Sequence, residues 1–417
     1  MSEKKLPLPE SEFLSLIKDV PTPFHIYDEK AFTENAKAFY DAFSWAPGFT
    51  NFFAVKACPN PSIMKRLAAL GFGADCSSLP ELLLSRASGI PGEKIVFTSN
   101  DTPAEEFRVA YEMGAIINLD DITHIDFLHN ALGGAFPELI CFRYNPGPDR
   151  TGNAIIGNPV EAKYGVTKDQ LIECYRRAKE LGAKRFGLHT MVASNELNAA
   201  YIVETARMLF SLVRKIKDEL DIDIEFIDMG GGVGIPYRPE DERIDLYALS
   251  SEIKKLYEEY EMKVRLTFEC GRMIMGPYGY LVTRALHVTK KYKDYVGVDA
   301  CMADLMRPAL YGSYHHITVA GKSTLERDHV YDVTGSLCEN NDKFAIDRAL
   351  PEVEEGDTLV IHDTGAHGYS MGFNYNAKLR HAEYLLTEEG ELKLIRRAET
   401  YDDYVKTLRF EGAEVEV

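Results

Sequence analysis

The 417-residue chain has no surplus of positive charge: 47 Lys and Arg stand against 65 Asp and Glu, a net charge of −18. No basic run or basic–aromatic interleaving offsets this balance. Such a chain repels phosphate backbones, which weighs against nucleic-acid binding. The sequence is also poor in the patterns that cysteine chemistry needs. Its seven cysteines, at positions 58, 76, 141, 174, 270, 301 and 338, are odd in number and never form CxxC. A disulfide framework or a zinc site is therefore not expected, no metal is assigned, and a reducing cytoplasm fits best. No apolar run approaches the ~20 residues of a membrane-spanning helix. The opening MSEKKLPLPESEF lacks the apolar stretch of a secretory signal. No internal repeat or low-complexity segment stands out.

What is present is a rhythm. From about residue 50 to 275, short apolar runs alternate with longer amphipathic segments. The runs FTNFFAVKA, FGADCSS, KIVFTSN, AIINLD, ELICFRYN, RFGLHT, IEFIDMGGG and VRLTFEC number eight. Helix-like stretches such as SIMKRLAALG and AAYIVETARMLFSLVRKIKDEL lie between them. Eight strands alternating with helices predict an α/β fold of the (β/α)8 TIM-barrel type. A doubly wound sheet alternates similarly; the count of eight favours closure. After about residue 276 the texture changes to GYLVTRALHVTKK, YVGVDA, HHITVAG, HVYDVTG, DTLVIHD and ELKLIRRAE. Short strand-like runs joined by turn residues predict a mainly-β domain. The expected division is a barrel over 30–275 and a β domain over 276–417, joined by the N-terminal strand PFHIYDE of segment 1–29.

Barrel enzymes place their chemistry at the C-terminal ends of the strands. In FFAVKAC, Phe52 to Cys58, four apolar residues run into Lys56. A lysine there either snorkels out of a strand end or is an amine held in an apolar site to form a Schiff base. The loop MGGGVG, Met229 to Gly234, follows the seventh run, and ECGR, Glu269 to Arg272, ends the eighth. A lone GGG is more often a turn than an anion cradle. Loops after strands seven and eight, however, are the usual barrel phosphate site. A phosphate site together with an inward lysine is what pyridoxal 5'-phosphate requires.

These motifs resemble those of the pyridoxal-phosphate-dependent decarboxylases of the alanine-racemase fold, most closely the diaminopimelate decarboxylases, over nearly the whole chain. AVKA resembles the family's Schiff-base motif, so the resemblance implies that Lys56 carries the cofactor. FGADCSSLPEL puts Asp75 and Glu81 in the acidic positions near that lysine, and FRYNPG puts Arg143 close to the cofactor ring. GGGVGIPY resembles the phosphate loop, with Gly230, Gly231, Gly232 and Gly234. Glu269 would face the pyridine nitrogen and keep it protonated; Arg272 would reach the phosphate or a substrate carboxylate, and Ser194 would add a hydroxyl to the phosphate. LMRPALYGSYHHI, GSLCENNDKFA and GAHGYSMGFNYN resemble three β-domain motifs. They imply that Cys338 returns a proton to substrate carbon, that Glu339 takes a distal ammonium, and that Arg307 and Tyr311 hold a distal carboxylate. Tyr375 would pack beside cofactor and substrate. The resemblance further implies a homodimer in which Cys338 and Glu339 reach the neighbouring barrel.

Some positions depart from the family pattern. The sixth-strand motif usually reads His-x-His-x-Gly-Ser, whereas this chain has His189, Thr190, Met191, Val192, Ala193 and Ser194. The ring-stacking histidine is thus replaced by Met191, whose thioether can pack on an aromatic face but cannot carry a proton. Cys270 stands where EPGR has proline, and Cys301 and Ala303 replace a glycine and an asparagine. The leading expectation is decarboxylation of meso-2,6-diaminopimelate to L-lysine and carbon dioxide, in lysine biosynthesis. The alternatives are the same chemistry on another carboxylate-bearing amino acid, such as carboxynorspermidine or a siderophore or antibiotic precursor, a racemase of this fold, or a non-catalytic binding homologue. The Cys338–Glu339 pair argues against the racemase. Retention of the lysine, glycine loop and cysteine argues against the binding protein.

Overall fold

Eight parallel strands close into a barrel in sequence order: Thr50–Ala54, Gly73–Cys76, Ile95–Thr98, Ile116–Leu119, Leu139–Tyr144, Arg185–Thr190, Ile224–Asp228 and Arg265–Phe268. They fall in the eight runs expected. The ring closes where Thr50 and Asn51 pair with Thr267 and Phe268. This computed structural model describes residues 4–152 and 155–409. The chain divides into two units, of which the barrel unit spans Lys30–Pro277. TNFFA, GADC, IINL and LICFRY are buried at every position, as a parallel sheet covered on both faces demands. Phe52, Val96, Ile116, Leu139, Cys141 and Phe226, drawn from five strands, form one cluster, which such a set can do only inside the barrel. The two phenyl rings use space left by glycines. A Cβ at Gly73 would lie 2.4 Å from Phe52, and one at Gly187 would lie 2.2 Å from Phe226.

Side-chain caps fix where several barrel helices begin. Asn60, Asn198 and Asp245 accept backbone N–H bonds ahead of Pro61–Ala69, Ala199–Leu220 and Leu246–Glu259. Thr167 and Gln170 form a reciprocal capping box on Lys168–Glu180. Helix Ala199–Leu220 buries Ile202, Ala206, Leu209, Phe210, Val213 and Ile216 at helical spacing.

The first barrel strand is shorter than its sequence suggests. It stops at Ala54, and Val55–Ala57 form a 3-10 turn in which the Cys58 N–H donates to the Val55 carbonyl at 3.1 Å. Lys56 therefore stands on the turn beyond the strand. That turn packs directly on the chain after strand eight, where a Cβ at Gly271 would meet those of Ala57 and Ala54 at 2.7 and 3.1 Å.

The second unit contains residues 4–29 and 278–409. Its main sheet runs Lys343–Leu350, His329–Thr334, Asp294–Val298, Gly279–Lys290, Phe24–Asp28, Ala382–Leu386 and Leu392–Arg396. Thr358–Ile361 pairs with both Gly279–Lys290 and Ile317–Val319. The early strand Phe24–Asp28 thus lies inside this sheet, antiparallel to Gly279–Lys290 and parallel to Ala382–Leu386. Lys343–Leu350 and Ala382–Leu386 were not among the expected strands. In the first, the register slips and Asp347 has φ 50°, which breaks the period-two pattern. In the second, buried Glu383 interrupts the apolar run and is held by the Tyr27 hydroxyl at 2.6 Å and by Arg396. Among the described residues no helix is long and apolar enough to cross a membrane.

Candidate active site

The barrel strands deliver a dense polar cluster to their C-terminal ends. Lys56 Nζ lies 3.5 Å from Asp75 Oδ2; the lysine side chain is 54% exposed and the aspartate 1%. The lysine is therefore not sealed in a core but leans on a buried carboxylate. Asp75 raises the Lys56 ammonium above its ordinary value against the opposing pull of desolvation, and Glu269 and Glu81 add to the rise. Burial, followed by the charge on Glu269, pushes Asp75 up to about 8, while Lys56 pulls the other way. Glu81 accepts the Ser77 N–H at 2.6 Å, so it also fixes the turn after strand two.

Glu269, from the end of strand eight, is buried, and burial alone would raise its carboxyl. His189, Lys56 and Arg143 outweigh that and hold it below the usual carboxylate range. Its Oε2 meets His189 Nε2 at 3.2 Å, and its Oε1 is buried without a hydrogen-bond partner. Arg143, from strand five, is buried, lies 3.8 Å over the Tyr164 ring and approaches the Met191 carbonyl at 3.5 Å. Arg143, Ile156, Tyr164, Met191 and Val192 line one narrow pocket.

The glycine loop after strand seven is shaped by contact with strand six. Gly230 and Gly232 have φ of 67° and 99°, and Cβ atoms there would sit 2.3 Å from the Thr190 carbonyl and 2.7 Å from the Ala193 carbonyl. No L side chain fits either position. Gly230 N–H donates to Asp228 Oδ1 at 2.8 Å, and Gly231 N–H donates to the Met191 sulfur at 3.2 Å. Met191 is thus latched to the loop. Beside it, Arg272 donates to the Tyr237 hydroxyl at 2.7 Å and to Ser194 Oγ at 3.4 Å. Cys270 has a local role as well. Its N–H donates to Asn51 Oδ1 at 2.8 Å and its carbonyl accepts from Asn51 Nδ2 at 3.1 Å. A proline at 270 would remove the first of these bonds.

This arrangement suits pyridoxal phosphate. An amine, an ionised buried carboxylate with one unfilled acceptor atom, and a glycine loop flanked by Arg272 and Ser194 supply the three anchors such a cofactor needs: aldehyde carbon, ring nitrogen and phosphate. Sequence reasoning passed over Asn118, Tyr164, Asp228 and Tyr237 and left His189 without a partner. The signal available was polarity in the wrong place: Asn118 interrupts IINL and Asp228 closes EFID, both inside buried strands.

The remaining expected residues lie in the β unit. Cys338 is exposed, and its N–H donates to Asn376 Oδ1 at 2.7 Å, which ties it to the residue following Tyr375. Glu339 accepts the Asn341 N–H at 3.2 Å. Arg307 begins the short helix Arg307–Tyr311, is 1% exposed, and donates to Ser313 Oγ at 3.1 Å. Its guanidinium carbon lies 6.0 Å from the Tyr311 ring centre.

Comparison with known proteins bears on this site. Residues 29–276 match the family model described as pyridoxal-dependent decarboxylase, pyridoxal binding domain. The chain is 40% identical over 402 residues to protein TabA of Pseudomonas amygdali pv. tabaci, covering 96% of this chain and 94% of that one. It is 35% identical over 406 residues to the diaminopimelate decarboxylase of Methanothermobacter thermautotrophicus, covering 95% and 94%. Among solved structures, diaminopimelate decarboxylase from M. jannaschii matches with a TM-score of 0.88 at 30% identity, covering 96% and 94% of the two chains. The Helicobacter pylori diaminopimelate decarboxylase complexed with L-lysine matches with a TM-score of 0.86 at 30% identity, covering 94% and 98%.

Proposed function

The chain belongs to the pyridoxal-dependent decarboxylase family, and from that premise we propose that it decarboxylates meso-2,6-diaminopimelate to L-lysine in the cytoplasm, as a homodimer. The cofactor, when bound, supplies an electron sink for the pair left by departing carbon dioxide. Lys56 would hold it covalently. Glu269, held ionised, would accept a hydrogen bond from the protonated ring nitrogen at its open Oε1. Arg272, Ser194 and the loop of Gly230, Gly231, Gly232 and Gly234 would hold the phosphate. Met191 would stand beside the ring where the family has an imidazole, with Arg143 and Asp75 near it. Cys338, from a second copy of the chain, would be the proton donor to substrate carbon. Glu339 takes the distal ammonium, Arg307 and Tyr311 take the distal carboxylate, and Tyr375 flanks the substrate.

The observation that carries the substrate assignment is Arg307, a 1%-exposed guanidinium beside Tyr311. A substrate whose far end is a carboxylate fits its planar fork. A diamine-forming substrate such as ornithine would call for an acid there. The seven cysteines, odd in number and never in a CxxC pair, fit a reducing compartment. A second reading keeps the chemistry and changes the substrate to another carboxylate-bearing amino acid. Met191 favours it, as does 40% identity to a relative not named for diaminopimelate. Carbon dioxide release from a panel of amino acids, with and without pyridoxal phosphate, tests both. Release from diaminopimelate above all others supports the first reading, and release only from another member supports the second.

A further inference from the structure

Three hydrogen bonds run inward from the barrel wall and end on Glu269. Asn118 Nδ2 lies 3.0 Å from Thr98 Oγ1 and 2.9 Å from His189 Nδ1, and His189 Nε2 lies 3.2 Å from Glu269 Oε2. Asn118, His189 and Glu269 are all buried. We infer that His189 is a positioning residue that donates from Nε2 to hold Glu269 ionised and oriented, and that Asn118 fixes the imidazole in that one tautomer. The inference rests on the reading above that Glu269 faces the cofactor's ring nitrogen.

Proton accounting supports it. An ionised Glu269 only accepts, so His189 Nε2 must carry hydrogen. A neutral imidazole then has its lone pair at Nδ1, which needs a donor, and the Asn118 amide nitrogen is one. An imidazolium would instead set two N–H groups against each other at Nδ1. Burial independently disfavours the charged ring and lowers the His189 pKa, although Glu269 opposes this.

A second acid bears on the charge of the cluster. His189, Asp228 and Glu269 bring one polar atom each within 4.8 Å of one another. Asp228 has a buried Oδ2 without a hydrogen-bond partner, and burial followed by Glu269 pushes its carboxyl well up. Burial and the nearby Glu269 disfavour a second negative charge on Asp228, which leaves Glu269 as the acid that the imidazole serves. Asp75, Lys56 and Arg143 are the other ionisable groups that act on it. Because Met191 fills the ring-stacking position, His189 works at the edge of the site, behind the carboxylate.

The test uses the holoenzyme with His189→Leu, His189→Gln, Glu269→Gln and the double variant His189→Leu/Glu269→Gln. Three quantities are read: carbon dioxide release, binding of pyridoxal phosphate by equilibrium dialysis, and the visible absorbance of the loaded protein across pH. His189→Leu should lower kcat by about tenfold to a hundredfold, the worth of a hydrogen bond to a charged group. KM should stay within about twofold, and the absorbance–pH profile should shift. His189→Gln keeps an amide donor near Nε2 and should recover most of the wild-type behaviour. In the double variant the cost of His189→Leu should vanish, because the residue acts only through Glu269. Additive losses, or His189→Gln no better than His189→Leu, overturn the inference. A Glu269→Gln variant that changes neither kcat nor absorbance overturns the reading of Glu269 itself, whatever His189 does. Should His189→Leu not fold, Asn118→Leu carries the same test one bond away: a smaller loss absent in the Glu269→Gln background supports the inference, and an additive one overturns it.

Discussion

At the barrel mouth, Asp75, His189, Asp228 and Glu269 are each no more than 6% exposed, whereas in the β unit Cys338 is exposed, Tyr375 is 50% exposed and Tyr311 is 43% exposed. The barrel residues constrain one another. Each carboxyl there has its proton affinity set by burial and by its neighbours, so a change at one position propagates to the rest. The β-unit residues are set one at a time, by a single backbone or side-chain bond such as Cys338 to Asn376. The barrel set is thus coupled through shared burial and charge, whereas the β-unit set is open to solvent. Arg307 is the exception in the β unit, a buried cation on an otherwise open set.

The largest effect expected is on the barrel side. Lys56→Ala should abolish turnover by several orders of magnitude, because no other residue replaces the covalent tether. Borohydride reduction of the loaded wild-type protein, followed by peptide mapping, should label Lys56. A label on any other lysine breaks the assignment.

Cys338→Ala tests the opposite region. Loss of a positioned proton donor costs about 10²–10⁴-fold in kcat, while cofactor loading should be unchanged. Mixing inactive Lys56→Ala and Cys338→Ala chains should restore part of the activity through hybrid dimers. No recovery, once subunit exchange has been demonstrated, would mean that Cys338 serves its own chain.

Arg307→Ala probes the exception. Removing a paired buried charge costs about 2–5 kcal/mol, so kcat/KM for diaminopimelate should fall roughly 30-fold or more. Slow turnover of lysine, which lacks the distal carboxylate, should barely change. Equal losses on both substrates would mean that Arg307 serves structure or the α-carboxylate, and a thermal melt distinguishes these.

How much of this was legible depended on whether the cause was local. Eight buried parallel strands announce themselves as apolar runs, and Lys56, the glycine loop and Glu269 follow those runs directly. Lys56 stood out in sequence as a lysine at a strand end but not as a residue on a 3-10 turn, because that turn packs on Gly271, more than two hundred positions away. His189 had no partner in the sequence reading; its partners, Asn118 and Glu269, come from strand four and the end of strand eight. The buried strand Ala382–Leu386 was hidden by Glu383, a charge held by the distant Tyr27 and Arg396. Polar groups paired across the fold look wrong in sequence because their partners are distant.

The pH dependence of cofactor loading tests whether the barrel residues act as a coupled set. Lys56 has its pKa raised above the ordinary lysine value, and Asp75 has its pKa raised to about 8. Below pH 8 both hold protons and the amine is unreactive. As pH rises through about 8 Asp75 loses its proton, and the carboxylate left behind holds the ammonium of Lys56. The neutral, reactive amine therefore appears only at higher pH. Loading of stripped wild-type protein, followed by absorbance, should stay slow through pH 8 and quicken only above the ordinary lysine range. Asp75→Asn removes both the partner and the main cause of the lysine's rise. Its loading should quicken at lower pH than that of the wild type. An unchanged profile in Asp75→Asn would assign the rise to another group.

The smallest expected effects contrast the two regions through two asparagines. Asn51 gives and accepts a hydrogen bond with the Cys270 peptide in the buried barrel, whereas Asn376 accepts one from the exposed Cys338 N–H. Asn51→Ala strands a buried N–H and a carbonyl, which costs about 1–3 kcal/mol and should lower the denaturation midpoint. Turnover of the folded fraction should change little, because Asn51 touches the peptide between Glu269 and Arg272 rather than either side chain. For Asn376, glycine is the informative replacement: the residue has φ 53°, a conformation that glycine adopts without strain and alanine does not. Asn376→Gly should therefore cost under about 1 kcal/mol, since water replaces the lost bond. Cys338 would nonetheless be freed from its one fixed amide contact, so kcat should fall a few-fold while cofactor binding is untouched. If instead Asn376→Gly destabilises the fold as much as Asn51→Ala and leaves kcat alone, the loop carrying Cys338 is structural and the contrast between the two regions fails.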